Sequence, residues 1–67
     1  MMHGEVKTFG DMWLAIEYEP SARGIQITGP AEVLRRIWGL SVVVRLQDGT
    51  ERAGFANSQG AIKFSSL

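Results

Sequence analysis

Apolar and polar residues alternate with a period of two along most of this chain, and glycine or proline interrupts the alternation at short intervals. Residues 5–9 form a first short run in which Val6 opposes Lys7. Residues 12–19 place Leu14, Ile16 and Tyr18 on one face and Trp13, Ala15, Glu17 and Glu19 on the other. Two strands with a turn at Gly10-Asp11 are predicted. Residues 20–24 read as a loop. Ile25 and Ile27 then alternate with Gln26 and Thr28 in a shorter third strand, which stops at Gly29-Pro30.

There the period changes. Pro30 suits a first helical turn, and Val33, Leu34, Ile37 and Trp38 recur at helical spacing with Glu32, Arg35 and Arg36 on the other side. This predicts one amphipathic helix of about two to three turns, closed by Gly39 as its C′ residue and with Trp38 in the core. Leu40, Val42, Val44 and Leu46 then return to strand alternation. Asp48-Gly49 predicts a hairpin with a two-residue loop. Counting outward sets Leu46 opposite Glu51, Val44 opposite Ala53, Val42 opposite Phe55 and Arg45 opposite Arg52. Residues 57–60 make a further turn, and Ile62 and Phe64 flank Lys63 in a last strand. About six short strands and one short helix, in a single domain spanning residues 1–67, predict a mainly β fold. The expected form is a small, strongly bent antiparallel sheet or partly open barrel with the helix over one end.

Composition sharpens this picture. With 45% hydrophobic and 21% charged residues the chain is too apolar to read as disordered. A core this small seldom supplies more than about 3–5 kcal/mol without disulfides, metal or oligomerisation. There is no cysteine and no clustered ligand set, so a homo-oligomer is expected. Seven Lys/Arg balance seven Asp/Glu, so the formal net charge is zero and binding to a polyanion must come from a local patch. No apolar run reaches the roughly 18 residues of a membrane span. No secretory-type leader is evident, so a cytoplasmic location is expected.

Candidate chemistry is sparse. Glu17 and Glu19 share a strand face, but a chain this short hardly encloses a substrate cleft. His3, the one histidine, has Glu5 as its only nearby potential metal partner. The chain is therefore expected to be non-catalytic, without metal or cofactor. Arg45 and Arg52, opposed on the outward hairpin face, are either neutralised by glutamates of neighbouring strands or subunits, or they await an anionic partner. Arg35 and Arg36 read as a solvated helix face that could join Arg23 and Lys63 in a basic patch. Phe9 and Trp13 are candidates for an exposed aromatic contact, with another subunit or with a base.

Residues 30–54 carry a resemblance. Pro30-Ala31-Glu32-Val33-Leu34, Gly39, Val42, Val44, Leu46, Asp48-Gly49 and Gly54 resemble the first motif of the Sm-like proteins: a short helix, a V-x-V-x-L strand, a D-G turn and a glycine five residues later. The resemblance implies a small bent barrel, SH3-like in shape, that assembles into a ring by strand-edge pairing and binds RNA around the central pore. The loop that would contact RNA reads Phe55-Ala56-Asn57-Ser58-Gln59-Gly60 here, so Asn57, with Gln59 second, is its only match to the family's D-x-x-N-like string. An Arg-Gly followed by alternating isoleucines, as in the second family motif, lies upstream at Arg23-Gly24-Ile25 and Ile27. The sequence thus leads to a self-associating binding module for single-stranded RNA, with Arg23, Arg45, Arg52 and Asn57 in contact with the nucleic acid. Its alternative is a protein-interaction or self-assembly module without a nucleic-acid ligand.

Overall fold

The alternating segments become six antiparallel strands in a computed structural model that describes residues 2–8, 10 and 12–65. The strands are β1 (Met2–Thr8), β2 (Leu14–Ser21), β3 (Gly24–Gly29), β4 (Ser41–Arg45), β5 (Glu51–Ala56) and β6 (Ala61–Phe64), with helix α1 (Ala31–Ile37) between β3 and β4. They close into a barrel in the order β1-β2-β3-β6-β5-β4, with β4 returning to β1. The mainly β architecture with one short helix is as expected, and closure is complete rather than partial.

Every second side chain points into the barrel. Val6, Ile16, Tyr18, Ile25, Ile27, Val42, Val44, Ala56 and Ile62 are buried together, and Val33 and Ile37 of α1 join them. These two helix residues, four apart, lie on one face and seal the end of the barrel where β3 finishes and β4 begins. Leu34 packs alongside. A bulge between Glu17 and Tyr18, where β2 pairs with β3, supplies part of the bend that closure requires. Gly24 supplies another: a Cβ there would run into the carbonyl oxygen of Ile62, so only glycine lets β3 approach β6 at the far end.

The β4–β5 hairpin departs from the counted register by one residue. Arg45 pairs with Glu51, Val44 with Arg52, Val42 with Gly54 and Ser41 with Phe55. The cause is the turn. Gly49 N–H donates to the Leu46 carbonyl at 2.9 Å, Leu46 N–H donates to the Thr50 carbonyl at 2.7 Å, and Gly49 alone carries a positive φ, of 91°. Asp48 is not left-handed, so the loop is three residues long, a type I turn followed by a left-handed glycine. The β5–β6 turn repeats this geometry, with Gly60 N–H donating to the Asn57 carbonyl and Gly60 at φ 86°.

A one-residue slip exchanges the faces of β5. Gly54 and Ala56 turn inward, and Phe55 becomes an exposed outer residue. Trp38 is likewise exposed rather than core. The helix ends at Ile37, and Trp38 takes an extended conformation as the C-cap, so the helical period no longer governs where its ring points. Gly39 follows at φ 76°, as a C′ glycine does. Leu40, placed with the inward residues by alternation, lies in this turn before β4 starts and is exposed.

Candidate functional site

The helix seals one end of the barrel and leaves the other open. At the open end the strand termini carry Met2, Tyr18, Ile25, Leu46 and Phe64 around an apolar mouth of about 310 Å³. Gln47 and Asp48, from the β4–β5 turn, stand on its rim. Tyr18 is buried, and its hydroxyl accepts a hydrogen bond from the Gln47 backbone N–H at 2.9 Å, bracing this turn against the barrel wall. The Asp48 carboxylate accepts the Thr50 N–H at 2.9 Å, and that hydrogen bond holds its pKa below the usual aspartate value.

Beside the mouth, Arg23, Arg52 and Lys63 converge on a groove completed by Phe64 and Ser65. The topology explains the convergence. Arg23 lies in the β2–β3 turn, β3 pairs with β6 so that Gly24 meets Lys63, and β6 pairs with β5. Arg52 is opposite the buried Val44, on the side of β5 that faces inward lower down. At the strand end its guanidinium folds over the Phe64 ring, 5.2 Å from the centroid. No carboxylate lines this groove, and none of the three cations is ion-paired with a described residue. Phe64 lines both the groove and the mouth.

The expectation for Arg45 is corrected by the register. It does not oppose Arg52. Its guanidinium lies between Glu5 (Nη1 to Oε1, 3.0 Å) and Glu51 (Nη2 to Oε2, 3.5 Å), both within its own chain. The Trp13 ring covers it, 4.1 Å from Cζ, with the Lys7 ammonium 4.8 Å from the same ring. Arg45 is therefore neutralised and stacked, and Trp13 is half-buried against two cations of its own sheet. Phe9 lies outside the described residues.

Asn57 stands away from these arginines, in the β5–β6 turn at the sealed end. Its Oδ1 accepts the backbone N–H groups of Gln59 at 2.8 Å and Ala61 at 3.1 Å, so the side-chain oxygen shapes the turn. Arg35 and Arg36, in the last turn of α1, also belong to the sealed end and do not extend the patch of Arg23 and Lys63. The structure thus unites Arg23 and Arg52 with Lys63 and separates them from Arg45 and Asn57. Phe64 is the residue that sequence reasoning missed. Its alternation with Ile62 marks it as inward, but only the β3–β6 pairing reveals that it stands where the barrel opens beside two arginines.

A second surface lies near the sealed end. Trp38 and Leu40 sit in the α1–β4 turn, which is tied to Ala56 by hydrogen bonds from Gly39 N–H to the Ala56 carbonyl and from Ala56 N–H to the Leu40 carbonyl. Phe55 is the next residue, and all three are about half exposed. His3 Nδ1 is 4.0 Å from Glu17 Oε2, and no described group of three or more His, Asp or Glu side chains is arranged to hold a metal. No helix among the described residues is long and apolar enough to cross a membrane. No family model, curated protein or solved structure matches this chain significantly.

Proposed function

We propose that this chain is a non-catalytic binding module that holds single-stranded RNA on the surface formed by Arg23, Arg52, Lys63 and Phe64. The observation that carries this reading is the convergence of three cations without a carboxylate partner beside an aromatic ring, on a protein whose net charge is zero. Charges that balance overall yet segregate locally favour a polyanion at one place only. Cations that follow a phosphate chain, with a ring on which a base can stack, are the two components of single-strand recognition. The resemblance of residues 30–54 to Sm-like proteins supports the same ligand class.

Three phosphate contacts on a single strand give a slope of about −2 in log K against log salt. Anisotropy titrations of a labelled oligouridine should therefore show affinity falling about tenfold to twentyfold between 50 and 200 mM salt. The double variant Arg52→Ala/Lys63→Ala should weaken binding and reduce the slope by about 1.4, whereas Arg35→Ala/Arg36→Ala should change neither. Absence of binding at micromolar protein in 50 mM salt would refute the proposal.

A second reading, self-assembly or protein interaction, is favoured by the exposed Trp38, Leu40 and Phe55. The two readings use opposite ends of the barrel, so a homo-oligomer formed through the sealed end leaves every cationic groove accessible.

A further inference from the structure

We infer that the open mouth of the barrel is a receptor for one unstacked nucleobase, whose flanking phosphates lie on Arg23, Arg52 and Lys63. This rests on the RNA-binding reading and goes further: it places a base inside the molecule, not only a backbone across its surface.

Two adjoining spaces share one wall. The mouth holds about 310 Å³, at the small end of the roughly 300–1,000 Å³ typical of small-molecule sites, and is lined by Met2, Tyr18, Ile25, Leu46 and Phe64. The groove next to it holds the three cations, and Phe64 lines both. A ligand that fills both carries a largely apolar group and an anion close together, as one nucleotide does. The rim supplies polar complementarity. Gln47 Oε1 accepts the His3 backbone N–H at 3.0 Å, which leaves the amide N–H groups to donate. The Asp48 carboxylate accepts from Thr50, with the backbone N–H 2.9 Å from Oδ1, and as a carboxylate keeps further lone pairs with which to accept. A donor and an acceptor on adjacent residues match the paired acceptor and donor along the Watson–Crick edge of a base. Charge is arranged to suit this orientation. Asp48 lines the mouth and not the groove, whereas Arg23, Arg52 and Lys63 line the groove and not the mouth, so the base edge meets the carboxylate while the phosphates meet the cations. The floor is fixed by buried Tyr18 and Ile25, so the cavity exists before the ligand arrives.

The test compares a labelled oligouridine with an abasic ribose-phosphate oligomer of equal length and charge, each titrated into the wild-type protein and into Met2→Trp, which fills the mouth from its rim. Oligouridine should bind wild type about tenfold more tightly than the abasic oligomer, with equal salt slopes. Met2→Trp should bring oligouridine down to the abasic level and leave abasic binding unchanged. Equal affinity for both oligomers, or an oligouridine affinity indifferent to Met2→Trp, overturns the inference while the cationic surface stands. Failure of both oligomers to bind removes the surface reading as well. Methyl NMR of the wild-type protein provides a readout free of substitution. Oligouridine should shift the Met2, Ile25 and Leu46 methyl resonances and the abasic oligomer should not. A response of those methyls to a medium-chain fatty acid but not to oligouridine overturns the inference in favour of an acyl ligand.

Discussion

Asp48 shows how one side chain sets the position of a whole strand. Its carboxylate accepts the Thr50 N–H and so fixes the three-residue loop that pairs Arg45 with Glu51. The folded pKa lies below the ordinary value because this hydrogen bond favours the charged form. The sign of the linkage follows. The contribution is fully present above the unfolded-state pKa of about 3.9 and is lost as pH falls through the lower folded value. Asp48→Asn keeps an acceptor for the Thr50 N–H but no longer titrates. Thermal melts between pH 2 and pH 6 should therefore show a smaller loss of stability below pH 4 for Asp48→Asn than for wild type, and identical acid profiles would refute this role. Arg45 teaches the complementary lesson. Bracketed by two partly exposed glutamates, its ion pairs are worth at most about 1 kcal/mol each. They set two carboxylates of the same chain where an anionic ligand would have to compete for this arginine.

At the scale of elements, α1 closes the core with very few residues. Only two of its residues are buried, and Ile37 is fully so. A buried Ile→Ala change costs about 2–5 kcal/mol, comparable to the whole stability expected of so small a core. Ile37→Ala should therefore be largely unfolded by urea concentrations that leave wild type native, as read by far-ultraviolet circular dichroism. A midpoint within a few tenths molar of wild type would mean that the barrel holds without its seal. How far the elements were legible depends on where their determinants lie. Strands β2, β3 and β4 follow from alternation because Leu14, Ile16 and Tyr18, then Ile25 and Ile27, then Val42 and Val44 each repeat over at least three positions with one face in the core. The β4–β5 register was not legible, since Asp48-Gly49 suits both a two-residue and a three-residue loop and the difference is a single backbone φ at Asp48. Trp38 departs from its expected place for a related reason: a periodic stripe does not announce the residue at which the helix ends. The cationic groove needs β3 beside β6, a contact between distant segments that no local pattern encodes. Its three cations could be singled out as charges, and Arg23 and Lys63 as members of one patch, but Arg52 could not be placed beside them.

The molecule as a whole has two unlike ends, and this decides how it can associate. Among the described residues each strand has a neighbour on both sides, so edge-to-edge pairing has only short unpaired strand ends to use, and side chains offer the larger surface for assembly. The exposed apolar residues of the sealed end, Trp38, Leu40 and Phe55, provide such a surface. The open end, with its cations, is poorly suited to contact another copy of itself. An aromatic anchor at the centre of an interface contributes about 2 kcal/mol or more, so Trp38→Ser/Phe55→Ser should raise a self-dissociation constant by about a thousandfold. Native mass spectrometry at micromolar protein should then show an oligomer for wild type and a monomer for the double variant, with unchanged circular dichroism. Because the substitutions lie at the sealed end, the affinity of the variant for an oligonucleotide short enough to occupy one mouth should match that of wild type. A longer strand should bind the variant more weakly, since linked grooves raise avidity only within an assembly. A wild-type protein that is monomeric at those concentrations, or a double variant of undiminished mass, would show that the sealed end does not mediate self-association.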